Sequence, residues 1–191
     1  MARVRSEEKR LAILAAATGI IVEAGLPATR TAAIAKAAGV AEGTLFVYFK
    51  TKDELVNQLY LSIKQELAAV MITTADDSLS MEAKFRHYWC KYVCWGVENH
   101  SKKLAMDQLM VSAALLPEVK EQANVPFAEV ANYVAGCIKA GLLKSLPVDY
   151  VLGVFAAMAE MTINYVLQQN VAVEEYQQTG FDLLWDAVAK R

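Results

Sequence analysis

Apolar residues recur at intervals of three and four along most of the chain, the spacing that places them on one face of an α-helix. The first such segment lies between Ser6, whose side chain can cap a helix N-terminus, and Gly25, which can end a helix. Its apolar positions are Ile13, Ala17, Ile20, Ile21 and Ala24. This pattern predicts a helix over residues 7–24.

Shorter repeats follow, separated by residues that favour turns. Pro27 marks a loop, and Thr29 is positioned to cap a second helix that ends near residues 38–39. A third short helix is predicted over residues 42–49. The run Thr51-Lys52-Asp53-Glu54 matches a capping box, in which a Thr side chain and a Glu three residues later satisfy each other's backbone amides. It predicts the start of a long fourth helix.

The rest of the chain also has the helical pattern. Further helices are predicted over residues 81–98, 101–114, 117–141, 147–169 and 172–189. No segment alternates polar and apolar residues, and 9 glycines and 4 prolines in 191 residues are too few turn formers for a many-stranded fold. The predicted fold class is all-α, with three short N-terminal helices followed by a helical bundle.

The charged residues are divided unevenly between the two ends of the chain. The whole sequence carries 19 basic and 21 acidic residues, for a net charge of −2. Residues 1–52, however, hold eight Lys or Arg against four Glu. A basic N-terminal part on an acidic body suggests that the former meets a polyanion and the latter does not.

The chain has little that predicts a membrane or an oxidising compartment. Its longest apolar stretch, residues 151–167, is interrupted by Glu160 and Asn164, and its charged N-terminus lacks the apolar core of a signal peptide. Three cysteines are an odd number for a disulfide framework. We expect a soluble, cytoplasmic protein with no membrane partner.

The segment from Thr29 to Phe49 has the pattern of a helix-turn-helix. Gly39 can take the positive φ that a tight turn between helices needs, and Leu45 anchors the following helix from within. In such a motif the second helix enters the major groove of DNA. The candidate DNA-contacting residues are Thr31, Gly43, Thr44, Val47, Tyr48, Lys50 and Lys52.

The run IAKAAGVAEGTLFVYFKTKDEL, preceded by ILAAATGIIVEAG, resembles the N-terminal domain of the TetR family of bacterial repressors. The closest likeness within the family is to RamR-type multidrug-responsive repressors, through the runs AEGTLF and TKDEL and through Trp95-Gly96. The resemblance implies a DNA-binding domain over residues 1–50 and an effector-binding and dimerisation domain over residues 51–191, linked by the helix from residue 52.

Two positions depart from the family pattern. Ala41 stands where a serine is common, so the recognition helix lacks an obvious N-cap. Phe46 stands where a tyrosine is frequent, which removes a hydroxyl that could contact phosphate.

Aromatic residues concentrate in one window of the body, which holds Phe85, Tyr88, Trp89, Tyr92 and Trp95. Such a stripe can be core packing, or it can wall the effector cavity that the resemblance implies. The candidate ligand-binding residues are Tyr60, Lys64, Phe85, Trp89, Tyr92, Phe155, Met158 and Thr162. Their chemistry predicts flat, apolar and aromatic or cationic effectors. The nearby Glu160 could attract such a cation or pair with a lysine.

The last two predicted helices carry a second set of apolar residues. Homodimerisation through these helices is what the resemblance implies, since symmetric dimers are the commonest oligomers. The alternative is that the residues close the core of the monomer. The candidate interface residues are Val166, Phe181, Leu184, Trp185 and Val188.

The sequence offers little support for metal binding or catalysis. His87, Cys90 and Cys94 share one side of a helix, but no fourth ligand is evident, and we expect no metal and no cofactor. Common phosphate-binding and nucleophile motifs are missing. We therefore expect a ligand-responsive transcriptional repressor that binds a palindromic operator. The alternative is a small helical enzyme acting on a hydrophobic substrate in the same cavity.

Overall fold

The computed structural model describes residues 6–72 and 78–190. Ten α-helices lie in these residues: α1 (Glu7–Ala24), α2 (Thr31–Ala37), α3 (Glu42–Tyr48), α4 (Lys52–Ile72), α5 (Met81–Glu98), α6 (His100–Met110), α7 (Pro117–Asn124), α8 (Ala128–Lys139), α9 (Val148–Gln169) and α10 (Val173–Val188). The described residues form no β-strand, and a single isolated bridge joins Leu143 to Ala189. The prediction of an all-α fold is confirmed.

The ends of α1 and the start of α4 follow the residues that the sequence analysis identified. Ser6 caps α1 by accepting the Lys9 amide, and Gly25 ends it at a φ of 77°. At α4, the Glu54 amide donates to Thr51 Oγ1 at 3.0 Å, while Glu54 Oε2 accepts the amide of Lys50 at 2.8 Å. The predicted capping box is therefore present, with its carboxylate reaching one residue further back than expected.

Three predicted helix boundaries were wrong. The helix predicted over residues 101–114 ends at Met110. Thr29 does not cap α2, because its hydroxyl donates back to the Gly25 carbonyl oxygen at 2.9 Å, and Arg30 is the N-cap residue instead. The single helix predicted over residues 117–141 is broken by a 3₁₀ turn at Val125–Phe127. Pro126 lies in this turn, where it cannot donate the amide hydrogen bond that a continuous helix requires.

The described chain packs as two compact units. The first comprises the described residues of Met1–Lys64 and His100–Ala123, and the second those of Gln65–Asn99 and Asn124–Arg191. These bounds differ from the predicted division after residue 50, because the first half of α4 and the helices α6 and α7 group with the three N-terminal helices. The assignment of DNA binding to residues 1–50 and of effector binding and dimerisation to residues 51–191 remains a prediction.

In the first unit, α1 packs against both α2 and α6. Its apolar core includes Ile13, Ala17, Ile21, Ile34, Leu45, Phe49, Leu55 and Leu59, together with Ala105, Leu109 and Leu115. The helices α2 and α3 are therefore held in place by a buried apolar core.

In the second unit, α5, α9 and α10 pack on one another, and α8 packs against α9. By length and composition α9 could cross a membrane, but the core helices of soluble proteins meet the same criterion. Val151, Ala159 and Ile163 of α9 are fully buried inside this unit. This burial is typical of a core helix.

Candidate nucleic-acid interface and effector site

The turn between α2 and α3 has the geometry of a helix-turn-helix. Gly39 adopts a φ of 67°, the left-handed conformation that the sequence analysis expected of it. The amide of Val40 then donates to the Ala35 carbonyl oxygen at 3.0 Å, which closes the turn. The two short helices are thus held at a fixed angle.

The recognition helix α3 has one buried and one exposed face. Leu45 is fully buried, and Phe49, just after the helix, is almost so. On the opposite face, Phe46 is 41% exposed and Val47 is 54% exposed. Large apolar side chains held outward on a rigid helix can make direct contact with base edges and thymine methyl groups.

The start of α3 lacks a side-chain cap, as the presence of Ala41 predicted. A different contact holds this end of the helix. The hydroxyl of Thr31 donates to Glu42 Oε1 at 2.7 Å, so the first residue of α2 is tied to the first residue of α3. Thr31 therefore has a role within the motif as well as being a candidate for DNA contact.

The candidates for phosphate contact differ in their surroundings. The Tyr48 hydroxyl accepts the amide of Ser6 at 3.0 Å, and Lys50 is exposed beyond the end of α3. The Lys52 ammonium donates to the Leu26 carbonyl oxygen at 3.0 Å. Lys52 thus helps to hold the first unit together, whereas Lys50 extends from it.

Four of the candidate ligand-binding residues form one aromatic cluster in the second unit. Phe155 lies at its centre, with the rings of Phe85, Trp89 and Tyr92 edge-on to it at centroid distances of 5.5–5.9 Å. The Trp89 indole donates to the Gln177 carbonyl oxygen at 2.8 Å. The rings pack on one another, as the core-packing alternative expected, and Tyr92 is the half-exposed member.

Met158 and Thr162 lie one and two turns beyond Phe155 on α9. The Thr162 hydroxyl donates to the Met158 carbonyl oxygen at 2.8 Å. Gly180 of α10 passes so close that an added Cβ would lie 2.7 Å from Thr162 Oγ1 and 2.8 Å from Trp89 Cζ2. The absence of a side chain at this position lets α10 approach the cluster.

The two remaining ligand candidates, Tyr60 and Lys64, belong to the first unit and lie one turn apart on α4. Burial, and secondarily the Asp107 carboxylate, raise the pKa of Tyr60. Burial lowers the pKa of Lys64 to about 8. Because the two residues are four positions apart, α4 supplies both polar groups from one face.

Four of the five candidate interface residues need correction. Val166, Phe181, Leu184 and Val188 are buried in the core of the second unit, and Trp185 is half-buried and stacked on Phe181 with ring centroids 5.8 Å apart. Side chains that already fill a core have no surface left for a partner. They close the monomer, which is the alternative that the sequence analysis left open.

A different apolar surface is exposed on the same two helices. Met161 and Tyr165 of α9 are 50% and 41% exposed, and Leu183 of α10 is 52% exposed. The rings of Tyr165 and Tyr176 lie 4.7 Å apart and join the two helices at this surface. Met161, Tyr165 and Leu183 each lie next in sequence to a buried residue. Together with Tyr176 they form an exposed apolar face on α9 and α10.

Several polar side chains of the second unit form hydrogen bonds within that unit. Asn164 donates to Glu160 Oε1 at 2.9 Å. The side-chain amide of Gln177 donates to the Cys90 carbonyl oxygen and to Cys94 Sγ, and burial raises the pKa of both thiols. Within the described ranges, no three His, Cys, Asp or Glu side chains converge as metal ligands.

Asn57 is one of the buried polar residues that the sequence analysis did not reveal. Asn57 lies in α4 and is 6% exposed. The available signal was its position among the apolar residues Leu55, Val56 and Leu59, since a polar residue on a buried face requires hydrogen-bond partners.

Comparisons with known proteins agree with this geometry. Residues 13–59 match the family model described as bacterial regulatory proteins, tetR family. The fatty acid metabolism regulator protein of Bacillus subtilis is 40% identical over 52 residues, which span 27% of each chain. An uncharacterized HTH-type transcriptional regulator of Haemophilus influenzae is 25% identical over 147 residues, or 72% of each chain.

A solved structure extends the likeness to the whole fold. The TetR family transcription regulator from Marinobacter aquaeolei VT8 superposes with a TM-score of 0.90, covers 97% of each chain and is 24% identical. The match over residues 13–59 includes the helix-turn-helix, and the superposition shows that the chain has the fold of this TetR family transcription regulator. The Haemophilus influenzae and Marinobacter aquaeolei proteins are both described as transcription regulators.

Proposed function

We propose that this chain is a ligand-responsive repressor that binds a palindromic operator as a homodimer and is released by a small apolar effector. The observation that carries the proposal is the recognition helix α3. Its buried face, with Leu45 and Phe49, fixes the helix, while its other face exposes Phe46 and Val47. Apolar side chains exposed on a helix that is held in this way can contact the methyl group of thymine in the major groove.

Each candidate residue then has a role in DNA binding. Thr44 and Val47 contact base edges, and Gly43 allows the backbone to approach the groove closely. Tyr48 and Lys50 hold phosphates, which fixes the position of the helix without reading sequence. Thr31 holds the start of α3 through its hydrogen bond to Glu42. Lys52 holds the loop that follows α1 through its hydrogen bond to the Leu26 carbonyl oxygen.

The homodimer forms through the exposed apolar face of α9 and α10. Met161 and Tyr165 lie one turn apart on α9, and Leu183 lies two turns from Tyr176 on α10. The Tyr165–Tyr176 ring contact makes these positions one surface. A two-fold dimer presents two recognition helices, and such dimers bind half-sites about 34–36 Å apart or a multiple of that distance, so the operator should be a palindrome.

The effector site lies at the aromatic cluster around Phe155. Aromatic rings and the adaptable Met158 suit an apolar ligand, and ring faces also attract cations. Because the rings pack on one another, a ligand would enter by separating them, with the half-exposed Tyr92 moving first. Resemblance to RamR-type regulators favours several aromatic or cationic effectors. The Bacillus relative, named as a fatty acid metabolism regulator, favours an apolar one.

The test of this function is a binding experiment with the DNA that flanks the gene. Fluorescence anisotropy with labelled duplexes should locate a palindromic site, and Val47→Ala should change which bases are preferred at that site. A titration with aromatic cations and with fatty acids, followed by tryptophan fluorescence and operator release, should then identify the effector class. Effectors that bind without releasing DNA would contradict the repressor mechanism.

A further inference from the structure

Asn57 is the point at which α4 is joined to a distant part of the first unit. Its side-chain amide lies in the protein interior, between α4 and the loop of residues 111–116 that connects α6 with α7. The amide Nδ2 donates to the Asp53 carbonyl oxygen at 2.7 Å and to the Ala114 carbonyl oxygen at 2.8 Å. The Oδ1 atom accepts the Leu116 amide at 2.9 Å.

These bonds fix the register of the loop. The Asn57 side chain donates to the carbonyl oxygen of Ala114 and accepts the N–H of Leu116. Leu115, which lies between these two residues, is buried. A shift of the loop by one residue would break both bonds and withdraw Leu115 from the core. Two hydrogen bonds and one buried side chain therefore fix the same register of the loop.

Leu116 is also the residue that directly precedes α7. Its carbonyl oxygen accepts the amides of Val119 and Lys120, both at 3.1 Å, and Pro117 follows it as the first helical residue. An amide N–H at a helix start has no partner within the helix. Asn57 supplies that partner, so α7 starts at a point that α4 determines.

The same stretch of α4 is hydrogen-bonded to the segment that follows the recognition helix. Glu54, one turn before Asn57, accepts the Lys50 amide directly after α3, and the Phe49 amide donates to Leu45. On the other side, α6 leads into the 111–116 loop and packs against α1. These contacts form a series that runs from α3 through α4, Asn57 and the loop to α6 and then to α1.

We propose that Asn57 is a positioning residue for DNA binding, which holds the 111–116 loop and α7 to α4 so that α3 is presented from one braced body. The inference rests on the proposed function, because it concerns how the recognition helix is held. It extends that function by assigning α6, α7 and their connecting loop to the DNA-binding body. Without the amide, α4 could change its angle to α6 and carry α3 with it.

Two substitutions separate the parts of this contact. Asn57→Leu removes all three hydrogen bonds at similar volume. Asn57→Asp keeps an acceptor for the Leu116 amide but loses both donations. The matched control is Thr18→Val, because Thr18 is another buried polar residue of the first unit whose hydroxyl bonds only within α1, to the Leu14 carbonyl oxygen.

The experiment measures operator affinity by fluorescence anisotropy on the full chain, with the active fraction determined by stoichiometric titration. Asn57→Leu should weaken the affinity of the active protein by about tenfold or more, which corresponds to about 1.4 kcal/mol, and Asn57→Asp by at least as much, because it places a carboxylate oxygen against the carbonyl oxygens of Asp53 and Ala114. Thr18→Val should lower the melting temperature and leave the affinity of the active fraction unchanged. Hydrogen exchange should be faster over residues 111–116 in both Asn57 variants only.

The possible outcomes distinguish the inference from the function beneath it. Wild-type affinity in the active fraction of Asn57→Leu would overturn the positioning role while leaving DNA binding intact. Equal losses in Asn57→Leu and Thr18→Val would assign Asn57 a merely structural role and also overturn it. If the wild-type chain binds no operator, the proposed function fails, and the inference fails with it.

Discussion

The hydroxyl of Tyr48, at the end of the recognition helix, accepts a hydrogen bond from the backbone amide of Ser6, 42 residues earlier, at 3.0 Å. Ser6 is the N-cap residue of α1, so this bond joins the end of α3 to the start of α1. A phenol that accepts one hydrogen bond can still donate its own proton. Tyr48 can therefore be fixed by the protein and donate to a phosphate at once.

This arrangement predicts different results for two neighbouring phosphate-contact candidates. Tyr48→Phe removes a neutral donor and should weaken binding to all DNA sequences alike, with an unchanged dependence on salt. Lys50→Ala removes a cation and should weaken binding and lower the slope of log affinity against log salt by about one. The measurement is anisotropy at four salt concentrations. Unchanged affinity in both variants would contradict the docking that we propose.

The approach of α10 to the aromatic cluster predicts a large effect of a single methyl group. Gly180→Ala would place a Cβ within 3 Å of Thr162 and Trp89, and such overpacking costs about 1–3 kcal/mol. The control is Gly136→Ala in α8, where an added Cβ meets nothing within 4 Å and should stabilise the helix by about 0.5–1 kcal/mol. Urea unfolding measures both. Equal stability of the two variants would show that the helices are further apart.

The exposed face of α9 and α10 predicts which substitution disrupts the dimer. Leu183→Glu places a charge on a side chain that is 52% exposed, so the monomer should fold and the dimer should dissociate. Leu11→Glu, at a side chain of α1 that is 51% exposed, is the matched control. Analytical ultracentrifugation at micromolar concentration should find monomers only for Leu183→Glu. A wild-type monomer, or dimers in both variants, would contradict the interface.

The buried lysine of α4 predicts a rise in stability at alkaline pH. The folded-state pKa of Lys64 is about 8, below the unfolded value near 10.4, so between these values the unfolded chain binds a proton that the folded chain has lost. Stability contributed by this group therefore increases with pH in that window, by up to about 1.4 kcal/mol per pH unit. Unfolding at pH 7.5, 8.5 and 9.5 should show this rise for the wild type relative to Lys64→Met. Parallel curves for the two proteins would contradict it.

The sequence predicted the elements whose signals are local. Ser6, Gly39 and the pair Thr51 and Glu54 act within a few residues of themselves, so their identity was sufficient to place α1, the turn before α3 and the start of α4. The predicted helix over 117–141 failed for a local reason as well, because the lack of an amide proton at Pro126 outweighed the apolar repeat around it.

The residues that depend on long-range packing could not be assigned in the same way. An apolar stripe on a terminal helix shows that one face is buried, but not whether Phe181 and Leu184 are buried by the same chain or by a second copy. The exposed Leu183 lies directly beside this stripe and is distinguished from it by the position of α9 alone. Asn57 was missed for the same reason, since its partners lie 57 and 59 residues away.

The most direct test of the central claim is the affinity of the full chain for the DNA flanking its gene, compared with a scrambled duplex of equal length and composition at physiological salt. We predict a palindromic site bound at least about a hundredfold more tightly than the scrambled duplex, with an affinity that falls steeply as salt increases. Equal affinity for both duplexes, or binding to neither, would contradict the conclusion that α3 reads an operator.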